Sequence, residues 1–304
     1  MSNRISIGIV GLDTSHVSAF TKLLNDESQP YHVPGGKVTV AFPGGSPDFE
    51  LSASRVEGYT QELSRDYGVR IVDSPEQVAE QCDAILLESV DGRVHLEQFR
   101  RIVKYGKPVF IDKPFTVSSK EAQEIVRLAQ QHQVPIMSSS SLRYSEELVK
   151  QLAPEAAEGQ PVIGADTYGP MAIQPTQPGY FWYGIHSVEM LYAIFGKGCE
   201  EVRAFATEDH DVIVGRWADG RIGTVRGNRK GNNGFGATIH RADRSIHVDA
   251  SASAKPYYAS LLEQVMDMFR TGRPSLDIEE TLEIIRFIEA ANESRESGGN
   301  PVKL

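Results

Sequence analysis

Lys113 stands where a lysine could do chemistry. It follows the apolar run Pro108-Val109-Phe110-Ile111 and lies within Asp112-Lys113-Pro114. A lysine at the carboxyl end of a buried strand faces the crevice in which open α/β sheets bind ligands. A rigid proline behind it would fix its direction, and the neighbouring Asp112 carboxylate would tune its charge. A lysine between two turn formers is more often a solvated loop residue, so the reading depends on the elements around it.

The second chemical candidate is the first turn, Gly11-Leu12-Asp13-Thr14-Ser15-His16. A strand-glycine-helix start is where a dinucleotide pyrophosphate sits, on backbone N–H groups and the positive end of the helix dipole. That fingerprint needs glycine at three places. Only Gly11 is present. Asp13 brings negative charge to the position of closest phosphate approach, and His16 replaces the packing glycine. The second strand runs into Ala41-Phe42-Pro43-Gly44-Gly45 with no acidic residue for the ribose, Asp48 comes only later, and no arginine follows at once for a 2′-phosphate. These residues alone argue against NAD(P) held in the usual way. One of Asp13, Thr14 and Ser15 is expected to cap the helix. Asp13, Ser15 and His16 could instead line the crevice and bond a ligand themselves.

The elements that must position these residues follow from periodicity. Strands are expected over Arg4–Val10, Lys37–Phe42, Val69–Val72, Ala84–Leu87, Val109–Ile111 and Val134–Met137. Helices are expected over Ser15–Leu24, Glu50–Tyr67, from Ser74-Pro75-Glu76-Gln77 onward, over Val94–Lys104 and over Ser119–His132. The Ser74 start combines a serine cap, proline at the first position and glutamine at the third. Strands separated by helices imply right-handed βαβ units, and unalternating apolar strands imply burial on both faces. The fold class is therefore α/β: an N-terminal Rossmann-like doubly wound parallel sheet over residues 1–141. From residue 142 to 304 the pattern changes to an α+β domain with an open, mainly antiparallel sheet. There a helix from Glu146, a strand Val162–Tyr168, a helix Tyr183–Phe195, several short strands and two closing helices, Tyr258–Arg270 and Ile278–Ser297, are expected. Asp219-Gly220 marks a hairpin turn.

The 304 residues carry a formal net charge of -10. That argues against nucleic acid or an anionic membrane as a partner. The local cluster Arg226-Gly-Asn-Arg229-Lys230 fits a solvated hairpin better than an anion site. Cys82 and Cys199 are far apart, which suits a reducing cytosol and supplies no thiolate cage. No apolar stretch reaches the ~18 residues of a membrane span, and Met1-Ser-Asn-Arg leads straight into a strand, so a cytoplasmic protein is expected. Asp13, His16, Glu88, Asp91 and His186 raise the question of a metal, but their separations match no ligand signature, and no metal is assigned.

Taken together, the chain resembles the Gfo/Idh/MocA oxidoreductases. The similar pieces are Ile7-Gly8-Ile9-Val10-Gly11, His95-Leu96-Glu97, Gly106-Lys107-Pro108-Val109-Phe110-Ile111-Asp112-Lys113-Pro114, Ser119-Lys-Glu121-Ala122, Gly184-Ile185-His186-Ser187-Val188-Glu189, Gly272-Arg-Pro274 and Glu289-Ala290 to Ser294. Each is short, and their order and spacing carry the resemblance over nearly the full length.

The resemblance implies an NAD- or NADP-dependent dehydrogenase acting on a sugar, polyol or related carbonyl compound. It also implies a homo-oligomer, a dimer or tetramer. Lys113 would polarise the reacting oxygen. His186 would be the general acid/base, a role that suits an imidazole near neutral pH. Gly11, Asp13, Thr14, Ser15, His16, Glu88 and Asp112 would lie along the cofactor. Arg143 and Tyr144 match a loop that reaches substrate, although Arg143 suits a surface ion pair equally well. Two departures stand out. The family's aspartate one turn before the histidine is Trp182 here, leaving Tyr183 as the nearest hydroxyl; Trp182 would stack on a sugar or simply pack. Val90-Asp91-Gly92, preceded by Glu88, replaces the usual Thr-Pro-Asn and brings carboxylates toward the nicotinamide ribose. Two other functions stay open: a dehydrogenase fold that has lost catalysis and senses a metabolite, and a non-redox lyase, isomerase or hydrolase.

Overall fold

The computed structural model describes residues 4–154 and 160–304. The chain forms two compact units. The first comprises Met1–Thr116, Lys120–Ser139 and Tyr258–Ile278; the second comprises Val117–Ser119, Ser140–Tyr257 and Glu279–Leu304.

The first unit holds a parallel sheet of six strands: β1 (Ile5–Val10), β2 (Gly36–Phe42), β3 (Arg70–Ile71), β4 (Ala84–Leu87), β5 (Val109–Ile111) and β6 (Ile136–Met137). Their order is β3-β2-β1-β4-β5-β6, the doubly wound arrangement with its switch point between β1 and β4. All of β4 and β5 is buried, as strands covered on both faces require. The edge strands β3 and β6 are shorter than their apolar runs, with two residues each.

Helix α1 (Ser15–Asn25) begins at Thr14, whose hydroxyl accepts from the His16 N–H. The helix α4 (Pro75–Glu80) starts at Ser74 as expected, with the serine accepting from Gln77 N–H. The expected helix Glu50–Tyr67 is instead two, α2 (Glu50–Ala53) and α3 (Val56–Tyr67). Ser52 anchors the first of them: its hydroxyl accepts from Ser46 N–H at 2.8 Å and donates to Asp13 at 2.6 Å. Periodicity cannot register that tie, because both partners lie outside the helix.

Sequence order also misplaces one segment. Tyr258–Ile278 counts with the first unit, although residues 142–304 read as one domain. Its helix presents Met266 to the β2 start: a Cβ at Gly36 would lie 2.9 Å from the Met266 sulfur.

The second unit holds a seven-stranded mixed sheet. Its strands are β7 (Val162–Pro170), β8 (Cys199–Ala206), β9 (His210–Trp217), β10 (Ile222–Asn228), β11 (Gly236–Arg241), β12 (Ser245–Asp249) and β13 (Val302–Lys303), in the order β12-β11-β7-β10-β9-β8-β13. Only β7 and β10 pair in parallel. The helix Gly184–Phe195 is apolar nearly all round and packs on β7. Tyr192, Phe195, Trp217 and Phe287 form an aromatic core beneath the sheet. The short β13 follows a glycine turn and had no periodic signal. Among the described residues, no helix is long and apolar enough to cross a membrane.

Candidate functional site

Register brings three functional positions to one edge of the six-stranded sheet. Val10 pairs with Leu87, and Leu87 with Ile111. The next residues, Gly11, Glu88 and Asp112, therefore leave adjacent strands together. Glu88 N–H donates to Val10 O, and Asp112 N–H to Leu87 O, each at 2.8 Å. His16 joins them from the first turn of α1, with its Nδ1 2.8 Å from Asp112 Oδ2 and 3.9 Å from Glu88 Oε2. The Asp112 contact is short, and it is an ion pair only when the imidazole is protonated. The imidazole stacks on Phe20 and meets Tyr258 edge-on.

These groups are deeply buried: Glu88 is 0% exposed, Asp112 1%, and His16 and Lys113 7% each. Burial, reinforced by the Asp112 carboxylate, pushes the Glu88 carboxyl well above its ordinary range, with Lys113 opposing. Burial also disfavours the charged form of Asp112, but His16 and Lys113 outweigh it and hold that carboxyl below its usual value. Two neighbouring carboxyls are thus driven apart, one toward the acid and one toward the anion. Neither Glu88 oxygen has a hydrogen-bond partner. Lys113 is oriented locally by its own backbone, whose N–H donates to Asp112 Oδ1 at 2.8 Å.

The first turn does not fit a pyrophosphate in the usual pose. Gly11 keeps the fingerprint's tight turn, with φ +94°, and a Cβ there would lie 2.3 Å from Ser89 Oγ. Its N–H, however, donates to Phe42 O, and that of Leu12 to Pro43 O at 2.7 Å, so the loop after β2 lies over the turn. Asp13 is buried and turned inward, accepting from Ser52 Oγ at 2.6 Å and Val90 N–H at 2.9 Å. Burial raises its pKa, and those two bonds only partly oppose the rise. Thr14 is the cap, as one of the three was expected to be; Ser15 is exposed.

Sequence reading missed the residues that close this crevice. Arg93 pairs with buried Asp91 and with Asp48, tying the loop after β4 to the loop after β2. Asp91 and Asp48 therefore face a guanidinium. His95 is fully buried between two carbonyls, with Nε2 2.7 Å from Ser89 O and Nδ1 3.1 Å from Phe115 O. The Asp91-x-Arg93 spacing was the available signal, since a turn brings such a pair together.

In the second unit, His186 lies on the helix Gly184–Phe195, with its Nδ1 2.7 Å from Ser140 Oγ. Tyr183 and Phe235 each meet the imidazole edge-on, at 5.5 Å between ring centroids. Tyr183 thus sits beside His186, one turn before it. Trp182 is 6% exposed and packs against Tyr183. Arg143 and Tyr144 lie in the single turn Ser141–Tyr144. The Arg143 side chain is only 10% exposed, and its guanidinium meets Glu189 at 2.9 Å and Glu280 at 2.5 Å. Of the cluster Arg226–Lys230 at the end of β10, Arg229 pairs with Asp211 and with backbone carbonyls.

Residues 5–140 match the family model described as an oxidoreductase family with an NAD-binding Rossmann fold. Over those residues the chain is similar to the Gfo/Idh/MocA oxidoreductases. Solved structures extend the likeness in fold to the whole chain. Apo scyllo-inositol dehydrogenase from Lactobacillus casei superposes with a TM-score of 0.81 at 14% identity, covering 100% of this chain and 99% of that one. Myo-inositol 2-dehydrogenase from Lactobacillus plantarum gives 0.80 at 13% identity, covering 99% and 100%. The Lactobacillus casei enzyme with bound NAD(H) and scyllo-inositol gives 0.77 at 15% identity, covering 99% of each chain. At such identities the likeness is one of fold. No protein of curated function matches the sequence.

Proposed function

We propose that this protein is an oxidoreductase acting on a sugar, polyol or related small hydroxy or carbonyl compound. The observation that carries the reading is Lys113, a buried cation at the carboxyl end of β5 within a Gfo/Idh/MocA domain. An ammonium there stabilises negative charge developing on a substrate oxygen, and a water-poor setting strengthens the interaction. Asp112, anchored by His16, holds the Lys113 backbone in place. His186 is the proposed general acid/base. Its Nδ1 contact with Ser140 orients the ring, and the Tyr183 hydroxyl is the proposed partner one turn away.

NAD or NADP is the proposed hydride carrier; in support, the matching family model is described as NAD-binding, and scyllo-inositol dehydrogenase from Lactobacillus casei was crystallised with NAD(H). A dinucleotide bound by this chain has to be held without the glycine fingerprint, on the first turn of α1 rather than on the covered amides of Gly11 and Leu12. The test is direct. Purified protein is titrated with NAD, NADP and their reduced forms, following nicotinamide fluorescence and thermal midpoint. Saturable binding, followed by polyol-dependent reduction that disappears in Lys113→Ala, supports the reading. Absence of any fluorescence or thermal response to all four nucleotides would refute it.

A second reading is favoured by the covered turn and by Asp13, Glu88 and Asp112 along it. In that reading the same crevice carries non-redox lyase, isomerase or hydrolase chemistry, or binds a metabolite without turnover. Product formation from a polyol or sugar with no nucleotide present would select the first of these.

A further inference from the structure

We propose that His16, Glu88 and Asp112 form a binding site for one first-row divalent cation at the carboxyl edge of β1, β4 and β5. Each residue offers one ligand atom, an imidazole nitrogen and two carboxylate oxygens, and all three atoms lie within 4.8 Å of one another. Zinc bonds to such atoms are about 2.0–2.2 Å long, which places neighbouring ligand atoms roughly 3–3.5 Å apart. The observed separations from His16 Nδ1, 2.8 Å to Asp112 and 3.9 Å to Glu88, lie on either side of that spacing. Small rotations of side chains already facing one point would complete the set.

A separate observation points to a ligand here. Glu88 is fully buried and both its oxygens lack a hydrogen-bond partner. Buried polar atoms in folded proteins are nearly always bonded, and an exception calls for an unseen ion or water. Asp13 in the same crevice shows the contrast, since Ser52 and Val90 serve its two oxygens. Among the described residues, Glu88 has no comparable donors. A cation would supply the missing partner and balance the two carboxylates. One imidazole with two carboxylates favours Zn2+ or Mn2+ over Ca2+, which prefers an all-oxygen shell. The remaining coordination positions would go to water or to a ligand oxygen.

The site lies in the same crevice as the proposed nucleotide, so the experiment uses the full chain with no nucleotide present. Protein stripped with chelator is dialysed against Zn2+, and separately against Mn2+, and the retained metal is measured by elemental analysis and, for Mn2+, by electron paramagnetic resonance. The expected result is retention near one ion per chain, with the Mn2+ signal broadened by immobilisation. Glu88→Gln and Asp112→Asn should each weaken binding at least about tenfold, the lower end of what even outer-shell partners contribute. Circular dichroism checks that each variant is folded, and either folded variant suffices for the comparison. Retention indistinguishable from an unrelated protein, or a folded Glu88→Gln that binds as tightly as the parent, would overturn the proposal. Nucleotide titration of the stripped protein is scored separately, so failure of the oxidoreductase reading leaves this result intact.

Discussion

Replacing Arg143 by methionine should destabilise the second unit strongly, and more at neutral than at acidic pH. Arg143 sits 2.9 Å from Glu189 and 2.5 Å from Glu280, and all three side chains are largely buried, at 10%, 3% and 13% exposure. At an effective dielectric near 20, each contact carries roughly 6 kcal/mol of gross attraction. That attraction offsets the desolvation of three charges, so the net value of the cluster is small. Removing the cation alone is different, because it strands two carboxylates; breaking a buried pair in this way costs about 3–5 kcal/mol. Burial already raises the Glu189 pKa, Glu280 adds to the rise, and Arg143 is the group that opposes it. Without Arg143 the folded-state pKa rises further above the unfolded value. The folded protein then binds more protons than the unfolded one between those two values, so the variant loses stability as pH rises through that window. Urea unfolding at pH 5 and pH 8 measures this, as a midpoint shift at unchanged slope. The shift should be smaller at pH 5, and adding Glu189→Gln should recover much of the loss at pH 8. A loss below about 1 kcal/mol, equal at both pH values, would refute the account and return Arg143 to the role of substrate ligand.

Three further outcomes follow from packing. Gly11→Ala should lower stability by about 1–3 kcal/mol, because it puts a side chain at φ +94° and a Cβ 2.3 Å from Ser89 Oγ; thermal unfolding reads the change. His95→Phe should cost about 1–3 kcal/mol in urea unfolding, since it removes the ring N–H that serves one of the two buried carbonyls facing it, those of Ser89 and Phe115. Cys82 and Cys199 are buried, and burial pushes both thiols up to about 12, so neither should react with a thiol reagent at pH 8 until the protein is unfolded; fast labelling of native protein would contradict the packing.

The candidate site was legible to different depths. Lys113 could be placed from sequence because an apolar run followed by a turn former locates a strand end whatever surrounds it. The loss of two glycines from the first turn was equally plain. Whether Asp13 faced a ligand was not. Its two partners, Ser52 and Val90, lie 39 and 77 residues away, beyond any local pattern. The same applies to Arg93, which shares its charge between Asp91, two residues back, and Asp48, 45 residues back. Arg143 could be read equally as a surface pair or a substrate ligand, because its carboxylates come from residues 189 and 280.

By itself the sequence determined most of the strands and helices, the ends of the central strands β1, β4 and β5, and which fingerprint residues are missing, since these depend on side-chain period and local dihedral preference. Tertiary structure alone decided which strand ends become neighbours. The register Val10–Leu87–Ile111 sets Glu88 beside Asp112 and under His16; burial together with that adjacency raises the Glu88 carboxyl, His16 and Lys113 lower Asp112 against its burial, and among the described residues the Glu88 oxygens have no hydrogen-bond partner. The reason is electrostatic: charge interactions depend on distance in space and on exclusion of water, and neither is written in the spacing of residues 16, 88 and 112 along the chain.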